Sequence, residues 1–183
     1  QRYIHVSKET KIDPVNDKKI IKEKLIFPRY HQLDVVTKLI ADVKEKGSGH
    51  NYLIQHSAGS GKSNSIAWLA YGLANLHNKE NEKIFNSIIV VTDRTILDNQ
   101  LQETIDSFDH TKGVVARIDG TSKDLKEAIN NGKKIIITTL QKFPFIYQEV
   151  ENNSNKKFAV IVDEAHSSQT GNSARKLKEA LTD

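Results

Sequence analysis

The stretch Ala58-Gly59-Ser60-Gly61-Lys62-Ser63 has the residue types needed to grip a phosphate. Its glycines let successive backbone N–H groups turn into one concavity, and a helix starting there adds its own unsatisfied N–H groups. In such a loop Lys62 reaches the β- and γ-phosphates of a nucleotide and the Ser63 hydroxyl coordinates Mg2+. The common form of the loop opens with glycine, whereas this chain has His56 at that position. The pattern Gly-x-Gly-Lys-Ser/Thr also arises by chance, in roughly one chain per hundred of this length at average residue frequencies. Placement lowers that rate. The apolar stretch Tyr52–Gln55 is expected to be a strand running into the loop, and a helical pattern follows directly. Nucleotide binding is the better reading.

A second candidate is Asp163-Glu164-Ala165-His166, which follows the apolar run Phe158–Val162. An acidic residue at the tip of a strand beside a phosphate loop supplies a further Mg2+ contact, usually through water, and Asp163 suits that role. Glu164 suits the general base that orients an attacking water. Adjacent carboxylates on a loop are usually just solvated. The pair gains weight because it ends a strand of the same sheet.

The elements that would position these groups alternate along the chain. Ser87–Val91, Val114–Ile118, Lys134–Thr138 and Phe158–Val162 are short runs rich in Val and Ile, apolar on successive residues. Strands covered on both faces look like this. In Ser63–His77, the residues Ile66, Leu69, Ala70 and Leu73 fall on one helical face. Residues 31–46 form a second amphipathic pattern, ended by Gly47-Ser48-Gly49. Repeated strand–helix–strand units predict an α/β fold with a mainly parallel central sheet and helices on both sides. Ligands of such sheets bind at the carboxyl ends of the strands, where both motifs fall. Residues 1–24 show no period and read as a leader, Asn152–Lys157 reads as a surface loop, and Trp68 reads as core.

Composition narrows the classes. The chain has 183 residues, 37% hydrophobic and 27% charged, which suits one globular domain. No apolar run is long enough to cross a bilayer. The lack of cysteine excludes disulfides and thiolate metal sites and fits a cytoplasmic location. With no methionine present, the chain is expected to be a piece of a longer protein. Residues 1–30 carry eight Lys/Arg against four Asp/Glu, which accounts for the whole net charge of +4. That stretch is either a contact for nucleic-acid phosphates or a solvated linker. His5, His31 and His110 show no metal-ligand spacing.

Taken together, the phosphate loop and the Asp-Glu-Ala-His end resemble superfamily-two helicases and translocases. Pro28-Arg29-Tyr30-His31-Gln32 looks like the glutamine motif of that superfamily. The resemblance puts Arg29 and Gln32 on the nucleotide, the Gln32 amide recognising adenine through one donor and one acceptor. Val91–Gln100 looks like motif Ia and Ile137–Phe143 like motif Ic. The wording of these stretches, with His56 and with Ser167-Ser168-Gln169-Thr170-Gly171 after the acidic motif, is similar to the motor (R) subunit of type I restriction–modification enzymes over residues 25–175.

That family implies a RecA-like P-loop three-layer sandwich over residues 25–183, ending before the third motif and before a second lobe with an arginine finger. It implies that residues 1–24 lead from an upstream nuclease domain. It also implies ATP and Mg2+ as cofactors and ATP-driven translocation of double-stranded DNA coupled to distant cleavage. Methyltransferase (M) and specificity (S) subunits would be its partners. Arg94 would touch a DNA phosphate, with pairing to Asp93 as the alternative. Thr138 and Thr139 would offer hydroxyls to the same backbone, although threonine is also an ordinary strand residue. His166 would link the ATP site to DNA. Other readings stay open: a remodelling helicase of the same superfamily, a P-loop kinase, or an ATP-dependent switch that does no catalysis.

Overall fold

The runs of Val and Ile pair into one sheet because every other side chain has a covered face to enter. The structure is a computed structural model that describes residues 3–12, 16, 19–92, 101, 104–105, 113–118, 122–139 and 155–163. Its main sheet has four strands, β3 (Ser87–Thr92), β4 (Val115–Arg117), β5 (Ile135–Thr139) and β6 (Phe158–Val162), in the order β4-β5-β3-β6. All of its pairings are parallel. The helices are α1 (Tyr30–Lys46), α2 (Lys62–Ala74) and α3 (Ser122–Asn130).

Register explains the layers. Ile88 pairs with Ile135 and Val90 with Ile137, and these four join Val36, Val43, Trp68, Leu69 and Leu73 of α1 and α2 in one apolar cluster. Ile89 and Ile136, also paired, point the other way with Val91 and meet Ala128 and Ile129 of α3. The fold is therefore α/β and RecA-like, with α1 and α2 on one face of the parallel sheet and α3 on the other. Ile88, Ile89, Ile135, Ile136 and Ile137 have no exposed surface. Each such side chain contributes about 1.5–3 kcal/mol by leaving water.

Helix α1 stops at Gly47, whose φ of 82° a side chain would strain, and whose N–H returns to the Val43 carbonyl at 2.8 Å. Lys44 and Lys46 lie in its last turn, where the carbonyl end of the helix favours cations. Helices α1 and α2 approach closely at Gly72, where an added Cβ would overlap the Ile40 side chain.

One expectation fails. Tyr52–Gln55 is not a strand: residues 51–57 have no regular structure, and Leu53 is 88% exposed. Tyr-Leu-Ile has strand propensity, but a strand needs a neighbour, and none pairs with it among the described residues. The stretch read as a leader contains two strands among its described residues. β1 (His5–Ile12) and β2 (Lys19–Ile26) form an antiparallel ribbon of their own, from His5 opposite Ile26 to Ile12 opposite Lys19. Tyr3 and Ile26 tie that ribbon to the apolar cluster under α1 and α2.

Candidate nucleotide-binding site

The loop at 58–63 is built by glycines at its two bends. Gly59 has φ 72° and Gly61 has φ 82°, ψ 41°, the left-handed region that other residues enter at a cost. Gly61 is the N-cap of α2, and its carbonyl accepts the N–H groups of Asn64 at 3.2 Å and Ser65 at 3.4 Å. The loop is closed by the Ser60 N–H donating to the Ser57 carbonyl at 3.3 Å. Lys62 and Ser63, both half-buried, are the first residues of α2, so they stand where a helix presents its unsatisfied N–H groups and positive dipole end. Ala58 and Gly59 are exposed, and Ser60 is 8% exposed.

The first turn of α1 packs on this loop. Gln32, only 3% exposed, donates through Nε2 to the carbonyls of Ser60 (3.2 Å) and Gly61 (2.8 Å). Its Oε1 accepts the Arg29 N–H at 2.8 Å, which caps α1. His31 Nε2 lies 3.1 Å from the Ser60 carbonyl and carries the proton in that contact, since a carbonyl can only accept. The His31 ring also meets the His56 ring edge-on, with centroids 5.2 Å apart. An added Cβ at Gly61 would sit 2.5 Å from Gln32 Nε2, so a side chain there would displace the Gln32 amide as well as strain the backbone.

The segment before the loop is tethered separately. Tyr52 donates its hydroxyl to Asp42 Oδ2 at 2.7 Å. Tyr52 is 42% exposed, yet loss of water around the hydroxyl, followed by the hydrogen bond and charge of Asp42, pushes the phenol up to about 12. The Lys46 ammonium, 2.7 Å from Asp42 Oδ1, and then Tyr52 hold the Asp42 carboxyl below its ordinary range.

The other candidates lie along the carboxyl rim of the sheet. Asp163, half-buried, follows β6 directly, and its N–H donates to the Val91 carbonyl at 2.9 Å. Thr92 and Thr139 are register partners at the ends of β3 and β5, and Arg117 ends β4 on the same rim. Thr138 and Thr139 are both buried, at 1% and 8% exposure, and Thr138 Oγ1 has no hydrogen-bond partner among the described residues. The Thr138 hydroxyl is not presented to solvent. Arg94, Glu164 and His166 lie outside the described residues. Sequence reasoning passed over His31 as a partner of the loop, because contacts made across 29 positions leave no local pattern.

Comparison with known proteins places the chain. Residues 31–183 match the SWI2/SNF2 ATPase family. The chain is 28% identical over 159 residues to the type I restriction enzyme SauCOLORF180P endonuclease subunit of Staphylococcus aureus (strain COL), covering 85% of this chain and 16% of that one. It is 32% identical over 162 residues to the HindI endonuclease subunit of Haemophilus influenzae, covering 84% of this chain and 15% of the relative. The chain thus spans a small part of the length of these relatives. No helix among the described residues is long and apolar enough to cross a membrane. The names agree with the resemblance drawn from the motifs. The family match takes in both the glycine loop and the strand that leads to Asp163, and on that ground the chain belongs to the SWI2/SNF2 ATPase family.

Proposed function

We propose that this chain is the ATP-binding motor lobe of a type I restriction endonuclease subunit, coupling ATP hydrolysis to double-stranded DNA translocation and to cleavage at distant sites. The observation that carries the reading is the left-handed turn at Gly61 opening α2, with Lys62 and Ser63 at the helix start. Family membership supplies the ATPase, and the named relatives supply the restriction context. On this reading the protein acts within a complex with methyltransferase and specificity subunits and is cytoplasmic.

In the proposed site the backbone N–H groups after Gly59 and the Lys62 ammonium hold the β- and γ-phosphates, and Arg29 and Gln32 stand at the nucleotide end of α1. The Ser63 hydroxyl and the Asp163 carboxylate are hard oxygen donors of the kind Mg2+ takes. When bound, the ion neutralises charge on the transferring phosphoryl group. Glu164 orients the attacking water, and His166 links that step to the DNA side. Arg94 binds a DNA phosphate. Thr138 and Thr139 offer their hydroxyls to the same DNA backbone.

The test is Lys62→Ala in the full-length protein within its complex, assayed for ATP-dependent displacement of a triplex-forming oligonucleotide from linear DNA and for cleavage. Loss of both supports the motor. Translocation that survives the substitution sinks it.

A further inference from the structure

We propose that Tyr71 is a positioning residue that ties the helix behind the phosphate loop to the chain leaving β3, and so carries the state of the nucleotide site to the DNA side. The inference rests on the motor reading proposed above and adds to it a path between the two sites.

The tie is one hydrogen bond made across a long stretch of chain. The Tyr71 hydroxyl, near the end of α2, donates to the Ile105 carbonyl at 3.0 Å. That acceptor belongs to the main chain, so the bond holds backbone against helix whatever rotamer the Ile105 side chain adopts. Leu101 and Ile105 are both helical, at 1% and 0% exposure, and both sit in the apolar cluster with Ala67, Trp68 and Ala70 of α2. Apolar packing is non-directional, so it presses the two elements together without fixing how they slide. A hydrogen bond weakens steeply away from its geometry, and this one sets their register. Phenylalanine would fill the same space; only the hydroxyl makes the tie.

The two ends of the tie lie on different sides of the proposed reaction. Lys62 and Ser63 are the first residues of α2, and Tyr71 follows Lys62 by nine positions, about 14 Å along a helix. A hydrogen-bonded helix moves as a rod, so a shift at its head reaches Tyr71. On the other side, β3 ends at Thr92, which is 1% exposed. Residues 93–100 join Thr92 to Leu101 in the chain and include Arg94, the proposed DNA contact. That stretch therefore has one buried anchor before it in the sheet and another after it on α2. When the head of α2 takes or loses a γ-phosphate, the second anchor shifts relative to the first, and Arg94 lies between them in the chain. Coupling of two sites needs an element that both can bias, and α2 joined to Ile105 is such an element.

The experiment uses the full-length protein in its complex and compares the parent, Tyr71→Phe, and Ile40→Ala, which loosens α2 where it meets α1. Each is assayed for affinity toward a non-hydrolysable Mg·ATP analogue and for the factor by which duplex DNA stimulates ATP hydrolysis. Tyr71→Phe is expected to bind the analogue as the parent does, while stimulation by DNA falls about fivefold, the worth of one net hydrogen bond. Ile40→Ala changes packing and spares the tie, so it keeps the parent's stimulation. The tie is overturned if Tyr71→Phe keeps full stimulation, or if it loses analogue affinity and stimulation alike. It is also overturned if Ile40→Ala loses as much stimulation as Tyr71→Phe. A parent whose hydrolysis ignores DNA would sink the motor reading and this inference with it, and that failure shows before any substitution is made.

Discussion

Gly61→Ala tests the local physics of the loop most sharply. The substitution places a Cβ on a residue at φ 82°, where left-handed backbone costs about 1–2 kcal/mol for a residue with a side chain. The same Cβ falls 2.5 Å from Gln32 Nε2. Gln32 must retreat, and it is buried, so its contacts with Ser60 and Gly61 lengthen or break. Net loss of those bonds adds about 1–2 kcal/mol. The expected destabilisation is therefore about 2–4 kcal/mol in urea unfolding of the protein. The two parts separate in a double-mutant cycle. In a Gln32→Ala background the overlap vanishes and only the backbone strain remains, so Gly61→Ala then costs about 1–2 kcal/mol. A loss under about 0.5 kcal/mol for the single variant, or strict additivity in the cycle, refutes the reasoning.

Further outcomes follow from the packing and the tether. Ile136→Ala and Ile137→Ala, on opposite faces of β5, each lower stability by about 2–5 kcal/mol in chemical denaturation; a mild effect from either would mean that face is not covered. Gly72→Ala gains less than the about 1 kcal/mol it would in an open helix, because the Ile40 side chain must shift, and Ile40→Ala in the same chain restores that gain. Alkaline titration followed by tyrosine absorbance shows one phenol ionising near 12 that is missing in Tyr52→Phe. Because that pKa is raised in the folded state, the stabilisation is fully present below the ordinary tyrosine value near 10 and is lost as pH rises through 12.

Much of the sheet was legible because its strands are buried on both faces. Continuous apolar runs such as Ile135–Ile137 have no other comfortable place, and their pairing follows from where they go. The helices were legible for a similar reason, since Val36 and Val43 or Leu69 and Leu73 repeat at helical spacing on a covered face. The β1–β2 ribbon was not, because a pattern of alternation appears only where one face is buried. Ile20, Ile21 and Leu25 of β2 are all exposed and lie on both faces, so no alternation marks it. Tyr52–Gln55 misled in the opposite sense, its residue types favouring a strand that finds no neighbour. At the site, Gly59, Gly61 and Lys62 announced themselves through local chemistry. Gln32 stood out in a motif, but what its amide touches depends on the docking of α1 against the loop, and spacing along the chain does not carry that.

The most direct test of the account is the rate of DNA-stimulated ATP hydrolysis by the full-length protein in its complex, parent against Lys62→Ala. If Lys62, at the head of α2, holds the reacting phosphates as proposed, the rate falls by roughly a hundredfold or more while the protein stays folded. An unchanged rate would contradict the assignment of this loop as the motor's ATP site.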